Sequence, residues 1–534
     1  MKKSIAMVLA GVMALSMTAC GGGGNTTTAA AGGSGTAAGS TAAAGGSEAS
    51  GSGENSDRAL YVEISSDPGD LTPFGNNGTN PVRIKGQIYE RLYEYGYNYE
   101  VTPILAESWE QKDSTHWVFH LKEGVKFSNG NDFTASDMLF SMNLCKDGTV
   151  MSKKYVEFVD FENTKIIDDH TVEVALTSPD AFFFSGFCGV YMVDEESYNA
   201  SGDGLASEPI GTGPYKFVEW TTGSSVKLTA NENWWGGDVK IKDVVFKVIT
   251  ESSQRSIELE TGGVDLVLDL GMADYDRLNE SSDYSVLVND TFRTSSIYFN
   301  CSEHSACNSK ELRQAIAYAI DANGILTGAY SNFGSIAKSF CNEKMLDYNE
   351  AWAANDYYTQ NLEKAKELLA ASGYDAAKPL SIIVSDDPLQ NTMAEIIQAY
   401  LSQLGITAEI TSYESAVYNN AIDDEAGGWD ISFVTLTAPS CQILDICNAF
   451  FAEDGINRSC FQNAEFNTLV KKAVVEPDEK VRAEQIDQLV AIVTEDVPAY
   501  MMVQTADLYA YNNDLVGFQV WNQTNFQAKD LSFK

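Results

Sequence analysis

Basic side chains are scarce in this sequence. Its 534 residues include 35 lysines and arginines against 75 aspartates and glutamates, which gives a formal net charge of −40. Proteins hold nucleic acids mainly by placing lysine and arginine against phosphates, and no basic patch interrupts the acidic composition. The composition therefore excludes nucleic acid as a partner.

Histidine is also scarce, and the common catalytic signatures are absent. The sequence has no H-E-x-x-H, G-x-S-x-G, G-x-x-x-x-G-K-S/T or G-x-G-x-x-G pattern. The four histidines are His116, His120, His170 and His304. His116 and His120 share one face of a predicted strand, where structural roles are more common than catalysis. We therefore expect a protein that is not an enzyme, with no catalytic residue and no cofactor.

Long apolar runs are missing after the amino terminus. At the amino terminus itself, Lys2 and Lys3 precede an apolar stretch from Ile5 to Met17. This stretch is shorter than the roughly 20 residues that a helix needs to span a bilayer. A short apolar run after two lysines is typical of a secretory signal peptide, here over residues 1–19.

The residues that follow indicate a lipid anchor and a tether. Met17-Thr18-Ala19-Cys20 resembles a bacterial lipobox, whose cysteine is diacylated and becomes the mature amino terminus. Residues 20–56 are almost entirely Gly, Ala, Ser and Thr, a composition that buries no core and stays disordered. The expected location is the extracytoplasmic face of the cell membrane, with lipidation at Cys20.

Eight further cysteines suit an exported protein with disulfides. Close spacing favours a Cys301–Cys307 bond and a second bond drawn from Cys441, Cys447 and Cys460. The alternative is a metal site at Cys301, His304 and Cys307. A structural zinc site takes four ligands, commonly as two close pairs, and no second pair is evident, so we expect no metal.

Hydrophobic periodicity predicts a mixed α/β fold. Alternating apolar residues predict strands at 117–121 and 172–176. A helix through Leu312 and Ala319 is expected to begin with a capping box at Asn308 and Glu311. Further predicted elements are a strand at 380–385, a helix ending at Gly405, a strand at 406–410, and helices around 362–369 and 486–493. The chain exceeds the usual single core, so two or three subdomains with a cleft are expected.

Several ordered motifs resemble those of the family 5 solute-binding proteins, the peptide/nickel-type binding proteins of ABC importers. The signature stretches are Leu105–Trp109, His116–Gly130 and Thr134–Asp137. Five further stretches agree in the family's order: Ile210–Phe217 with Asn233–Gly236, Arg255 with Glu260–Asp265, Phe299–Asn300 with Leu312–Asp321, Asn361–Leu369, and Val497–Tyr500. The resemblance covers roughly residues 59–534.

The resemblance implies a two-lobed, periplasmic-binding-protein-like α/β fold with an extra subdomain and a ligand cleft between the lobes. The implied ranges are 57–88, 206–293 and 506–534 for lobe I, 89–205 for the extra subdomain, and 294–505 for lobe II. It also implies a monomer that captures a small ligand by lobe closure and delivers it to the permease subunits of an ABC importer.

The resemblance says less about the ligand. In the peptide-binding branch, a carboxylate shortly after a Trp-Asp strand binds the peptide's α-amino group. Here Trp429-Asp430 is followed by no acid before Asp445, which argues against that mode of recognition and leaves polar, uncharged ligands open. A short peptide remains the first expectation, and an oligosaccharide or a metal chelate is the alternative.

Candidate ligand contacts are polar or aromatic residues expected in loops that face the cleft. Arg293 could bind a ligand carboxylate in a bidentate manner, and Trp429 could form an apolar wall. Amides and hydroxyls could supply further hydrogen bonds. The full set is Asn76, Asn77, Arg293, Trp429, Thr437, Ser440, Trp521 and Asn525.

Overall fold

The computed structural model describes residues 58–75, 78–96, 100–424, 426–437, 440–521 and 525–534. The predicted signal peptide, Cys20 and the tether lie outside the described residues, as do Asn76 and Asn77. Within the described ranges, no helix is both long enough and apolar enough to cross a membrane.

Strands and helices alternate over most of the chain. The strands are β1 Leu60–Ile64, β2 Tyr93–Tyr95, β3 Val101–Pro103, β4 Ala106–Asp113, β5 His116–Leu121, β6 Lys165–Asp168, β7 Thr171–Ala175, β8 Tyr215–Thr221, β9 Ser225–Ala230, β10 Asp243–Val248, β11 Leu266–Val267, β12 Tyr284–Phe299, β13 Ser335–Ile336, β14 Leu380–Ser385, β15 Ala408–Tyr413, β16 Ile431–Leu436, β17 Ala499–Asn512, β18 Leu515–Val516 and β19 Ser532–Phe533. The α-helices are α1 Thr79–Ile88, α2 Ala135–Asp147, α3 Val150–Lys154, α4 Phe183–Phe187, α5 Glu195–Ser201, α6 Ser252–Glu260, α7 Tyr275–Asn279, α8 Lys310–Ala319, α9 Ala322–Gly328, α10 Leu362–Ala371, α11 Pro388–Gln403, α12 Ser415–Ile422, α13 Ile443–Phe450, α14 Ala464–Val474 and α15 Glu479–Asp496.

The described part of the chain folds around three large hydrophobic cores. We call the part around β1, β8, β9, β10 and α1 lobe I. The extra subdomain is the part around the four-stranded sheet β4-β5-β7-β6 and α2. Lobe II is the part around β14, β16, α8, α11 and α14. The mixed α/β fold with two lobes and an extra subdomain agrees with the prediction.

One eleven-stranded sheet runs through both lobes. Its order is β15-β14-β16-β12-β17-β11-β1-β10-β9-β8, and β13 pairs with β17 beside this path. The long strands β12 and β17 are antiparallel and belong to lobe I at one end and to lobe II at the other. The main chain passes between lobe I and lobe II through these two strands.

The predicted β-α-β unit of lobe II is confirmed. Strands β14 and β15 are parallel neighbours, and α11 connects them. Asp387 caps the helix, because its carboxylate accepts the Leu389 N–H at 2.7 Å, and Pro388 occupies the first turn. Gly405 ends the turn with a φ of 76°, a left-handed conformation that glycine adopts without strain. The second strand begins at Ala408, two residues later than expected.

The predicted strands at 117–121 and 172–176 are the paired β5 and β7. The predicted start of α8 was wrong by one residue. Ser309 is the cap, since its hydroxyl accepts the Leu312 N–H at 3.4 Å. Asn308 is instead the last residue of a 3-10 turn, so its backbone belongs to that turn and not to the start of α8.

The predicted disulfides are not present: all eight cysteines of the described chain are free. At the end of β12, the Cys301 N–H donates to the Ser459 carbonyl at 2.8 Å, while Cys307 is fully buried in the core of lobe II. Cys441 and Cys447 are buried in the same core. The short Cys301–Cys307 spacing was misleading, because both side chains pack in or against the core of lobe II as free thiols. No group of three or more metal-binding side chains occurs among the described residues.

Candidate functional site

The crossing between the lobes contains a break in strand pairing. The register of β12 against β17 shifts between Asp290 and Thr294, so the three residues between them leave the regular ladder. Side chains satisfy the freed backbone groups instead. The amide of buried Asn342 donates to the Thr291 carbonyl at 3.1 Å and to the Arg293 carbonyl at 3.4 Å. Bulges bend strands locally, and we call this short stretch between the lobes, residues 291–293, the hinge.

Arg293 lies in this hinge. Its guanidinium forms an ion pair with Asp507 on β17, and its side chain is 30% exposed. Burial raises the pKa of Asp507, and the Arg293 charge opposes that rise. The predicted ligand contact is therefore engaged with a carboxylate of its own chain.

Lobe I presents a polar edge beside the hinge. Parallel strands β1 and β11 end there, and Asp269 follows β11. Arg83 on α1, with 1% of its side chain exposed, binds Asp269 through two hydrogen bonds of 3.0 and 3.1 Å. Burial raises the pKa of nearby Glu63 to about 7, the Asp269 charge adds to the rise, and Arg255 opposes it. In open α/β sheets, ligands bind outside the carboxyl ends of strands, so this edge faces the candidate site.

Lobe II presents the carboxyl end of β16 to the same hinge. Leu436 at the end of β16 pairs with Thr294, the first residue of β12 after the break. Thr437 follows directly, and its hydroxyl oxygen is buried without a hydrogen-bond partner among the described residues. A buried hydroxyl without a partner costs free energy, so a ligand atom here would be bound favourably.

Ser440 is buried at the same edge and binds the side chain of Asp445, the next acid in the sequence after Asp430. Its hydroxyl donates to the Asp445 carboxylate at 2.7 Å. Burial raises the pKa of Asp445, and the Ser440 hydrogen bonds oppose the rise. The sequence analysis did not include Asp445 among the site residues; it lies in the first turn of α13, from which it reaches Ser440.

Trp429 does not line the cleft, and this prediction was wrong. It precedes β16, whose first residue, Ile431, pairs with Phe299 at the end of β12 distant from the hinge. A six-residue strand spans about 20 Å, which separates Trp429 from the site. Only 1% of its surface is exposed, and it packs within the core of lobe II.

Trp521 and Asn525 lie together near the β2–β3 hairpin of the extra subdomain. The Trp521 indole N–H donates to Glu94 at 2.8 Å, and the Trp521 backbone N–H donates to the Asn525 carbonyl at 2.7 Å. The side-chain oxygen of Asn525 is buried and has no partner in the described part of the chain. Burial raises the pKa of Tyr95 on the same hairpin, and the nearby thiols of Cys188 and, in lobe II, Cys441 add to the rise. The hairpin and the chain end therefore lie on the side of the molecule that faces lobe II.

The structure thus brings Arg293, Thr437 and Ser440 to the two edges at the hinge, with Trp521 and Asn525 on a neighbouring surface. Of these five residues, Thr437 through its hydroxyl and Asn525 through its amide oxygen have no hydrogen-bond partner among the described residues. Such groups can bind the amides or hydroxyls of a small polar ligand without covalent chemistry.

Comparison with known proteins agrees with this geometry. The family model described as bacterial extracellular solute-binding proteins, family 5 Middle, matches residues 100–456. Heme-binding protein A of Haemophilus influenzae is 28% identical over 460 residues, which cover 79% of this chain and 82% of that protein. The dipeptide-binding protein of Escherichia coli is 27% identical over 506 residues, covering 86% of this chain and 92% of that protein.

Solved structures show the same fold. The ABC transporter substrate-binding protein CtaP from Listeria monocytogenes superposes with a TM-score of 0.81 at 22% identity, covering 89% of this chain and 99% of that chain. The oligopeptide-binding protein AppA from Bacillus subtilis, in complex with a nonapeptide, gives a TM-score of 0.75 at 19% identity, covering 89% and 99%.

Proposed function

The chain belongs to the bacterial extracellular solute-binding proteins of family 5, a family of substrate-binding proteins rather than enzymes, and we propose that it captures a short peptide between its lobes for an ABC importer. The alternative ligands are an oligosaccharide and a metal chelate. The observation that carries the proposal is the hinge: two strands cross between the lobes, and side chains bridge their break in pairing. Such a connection lets the lobes rotate while each keeps its own core.

A peptide fits the polar groups at the edges of the site. Peptide amides offer both donors and acceptors, which match the unpartnered oxygens of Thr437 and Asn525. The basic side chains at the edges are already paired, Arg83 with Asp269 and Arg293 with Asp507. A net anionic ligand would therefore find acids but no uncommitted cation among these groups, which favours neutral or cationic peptides.

Closure and ligand binding are tested together on the mature protein. Small-angle scattering should show a smaller radius of gyration when a bound di- or tripeptide closes the lobes. The melting temperature should rise with ligand, since a ligand at about 100 times its Kd stabilises the folded state by about 2.7 kcal/mol. A rise in melting temperature without a smaller radius of gyration would contradict lobe closure but not ligand binding. No shift with any peptide, oligosaccharide or chelate of a broad panel would contradict the binding function.

We also propose the lipid anchor at Cys20 with the tether over residues 20–56, and the residue limits of the lobes as the sequence predicts them. Cys20→Ser should release the folded protein from the membrane fraction, because two or more acyl chains hold a protein firmly and their loss leaves no anchor. Fractionation of cells with the wild-type and variant proteins measures this. Retention of the variant in washed membranes would disprove the anchor.

A further inference from the structure

The extra subdomain touches lobe II without a covalent connection to it. The chain enters the subdomain after α1 and leaves it before β8, both in lobe I. Nevertheless, the Ala181 N–H donates to the carbonyl of Val474, the last residue of α14 in lobe II, at 2.8 Å. Phe158, Ala181 and Phe182 pack against the core of lobe II. A rotation of lobe II about the hinge would have to separate these groups.

An acid from each side lies near this contact. Asp180 precedes Ala181, and its carboxylate accepts the Phe182 N–H at 2.9 Å. Burial raises the pKa of Asp180 to about 7, and the negative charges of Glu157 and of Asp445 in lobe II add to the rise. Asp445 itself has a pKa raised by burial. The negative charge of Asp445 in lobe II therefore disfavours ionisation of Asp180 across the contact.

Few positive charges balance this pair. Lys154 opposes the pKa rise of Asp180, but it forms an ion pair with Glu157 at 2.9 Å and its side chain is 59% exposed, so water screens its charge. On α14, Lys471 pairs with Glu453 at 2.7 Å. In lobe II, the nearby carboxylate of Asp347 adds to the negative charge around Asp445.

We propose that Phe158 and Asp180–Phe182 form a latch that holds the lobes closed, and that a proton on Asp180 strengthens it. The inference rests on the proposed closure of the lobes. When the lobes part, water reaches both acids, and their pKa values return toward the ordinary value of about 4. The closed form thus holds its proton at higher pH than the open form does. Closure is therefore favoured fully below about pH 4 and loses this contribution as the pH rises through about 7.

The latch can be measured without any ligand, through the amide of Ala181. In the ligand-free mature protein, hydrogen exchange in the segment that contains Ala181, corrected for the intrinsic rate, should be roughly tenfold more protected at about pH 5.5 than at about pH 8. Small-angle scattering should show a smaller radius of gyration at the lower pH. Phe182→Ala should reduce the protection at both pH values, because it removes apolar contact with lobe II.

Two variants test the acid pair from opposite sides. Asp180→Asn keeps an oxygen that accepts the Phe182 N–H but cannot ionise, so protection at the higher pH should equal that of the wild type at the lower pH. Asp445→Asn should weaken the pH dependence only in part, because burial still raises the pKa of Asp180. Asp132→Asn, an exposed acid of the same subdomain with 69% of its side chain in solvent, is the control and should leave the pH dependence unchanged.

A pH-independent protection in the wild type, or an unchanged pH dependence in both asparagine variants, would overturn the latch. Because no ligand takes part, this failure is distinct from a failure to find a ligand. A panel that yields no binder would leave the pH dependence of the Ala181 amide in place.

Discussion

Trp429→Ala should lower the free energy of unfolding of lobe II by about 3–5 kcal/mol and leave ligand affinity unchanged. The indole has 1% of its surface exposed and packs in the core of lobe II, so its removal leaves a cavity that the surroundings fill only in part. The residue lies about 20 Å from the hinge edge, at the far end of β16. Thermal unfolding with and without ligand, at temperatures where the variant is folded, measures both effects.

Trp429→Phe is the matched variant. The indole N–H has no hydrogen-bond partner among the described residues, so phenylalanine loses only volume and should cost clearly less than alanine. A large loss of ligand affinity in the folded phenylalanine variant would place Trp429 in the site after all. Unfolding of the two lobes need not be one transition, so the lobe II transition is the one to follow.

Arg83→Met should destabilise lobe I by about 3 kcal/mol. Removing one partner of a buried ion pair leaves the other charge uncompensated, which typically costs 3–5 kcal/mol. The lower end applies because Asp269 keeps 31% of its side chain in solvent. Burial alone would raise the pKa of Asp269, but the charge and hydrogen bond of Arg83, together with Ser65 and Arg255, hold the pKa below its usual value. Without Arg83 that pKa should rise, and the variant should be relatively less stable at neutral pH than at pH 4.

The control for Arg83→Met removes an exposed arginine of lobe I. Arg277 pairs with Asp274 at 2.7 Å, but 44% of its side chain is in solvent. Arg277→Met should therefore cost less than about 1 kcal/mol. Chemical denaturation of the two variants at one pH measures the loss. Equal losses of unfolding free energy would show that burial does not increase the contribution of the Arg83–Asp269 pair to stability.

Local patterns in the sequence were sufficient for several elements of lobe II and for two strands of the extra subdomain. The helix α11, with Asp387 as its cap and Gly405 after its end, and the strands around it follow from short-range capping, turn geometry and periodicity. Strands β5 and β7 follow from alternation of apolar residues. The family resemblance likewise rests on motifs that a linear reading can recognise, and the family match confirms it.

The acidic composition and the ordered motifs thus determined the class of protein, but the tertiary structure decided which residues meet. Pairing of β16 with β12 turns Thr437 toward the hinge and carries Trp429 away from it. Arg293 meets Asp507, 214 residues later in the chain, because β12 and β17 cross side by side. Ala181 meets Val474 at the end of α14 because the extra subdomain packs against the core of lobe II. Capping and periodicity act over a few residues, whereas charge pairing and burial depend on strand direction and on contacts between distant segments, which no local pattern specifies.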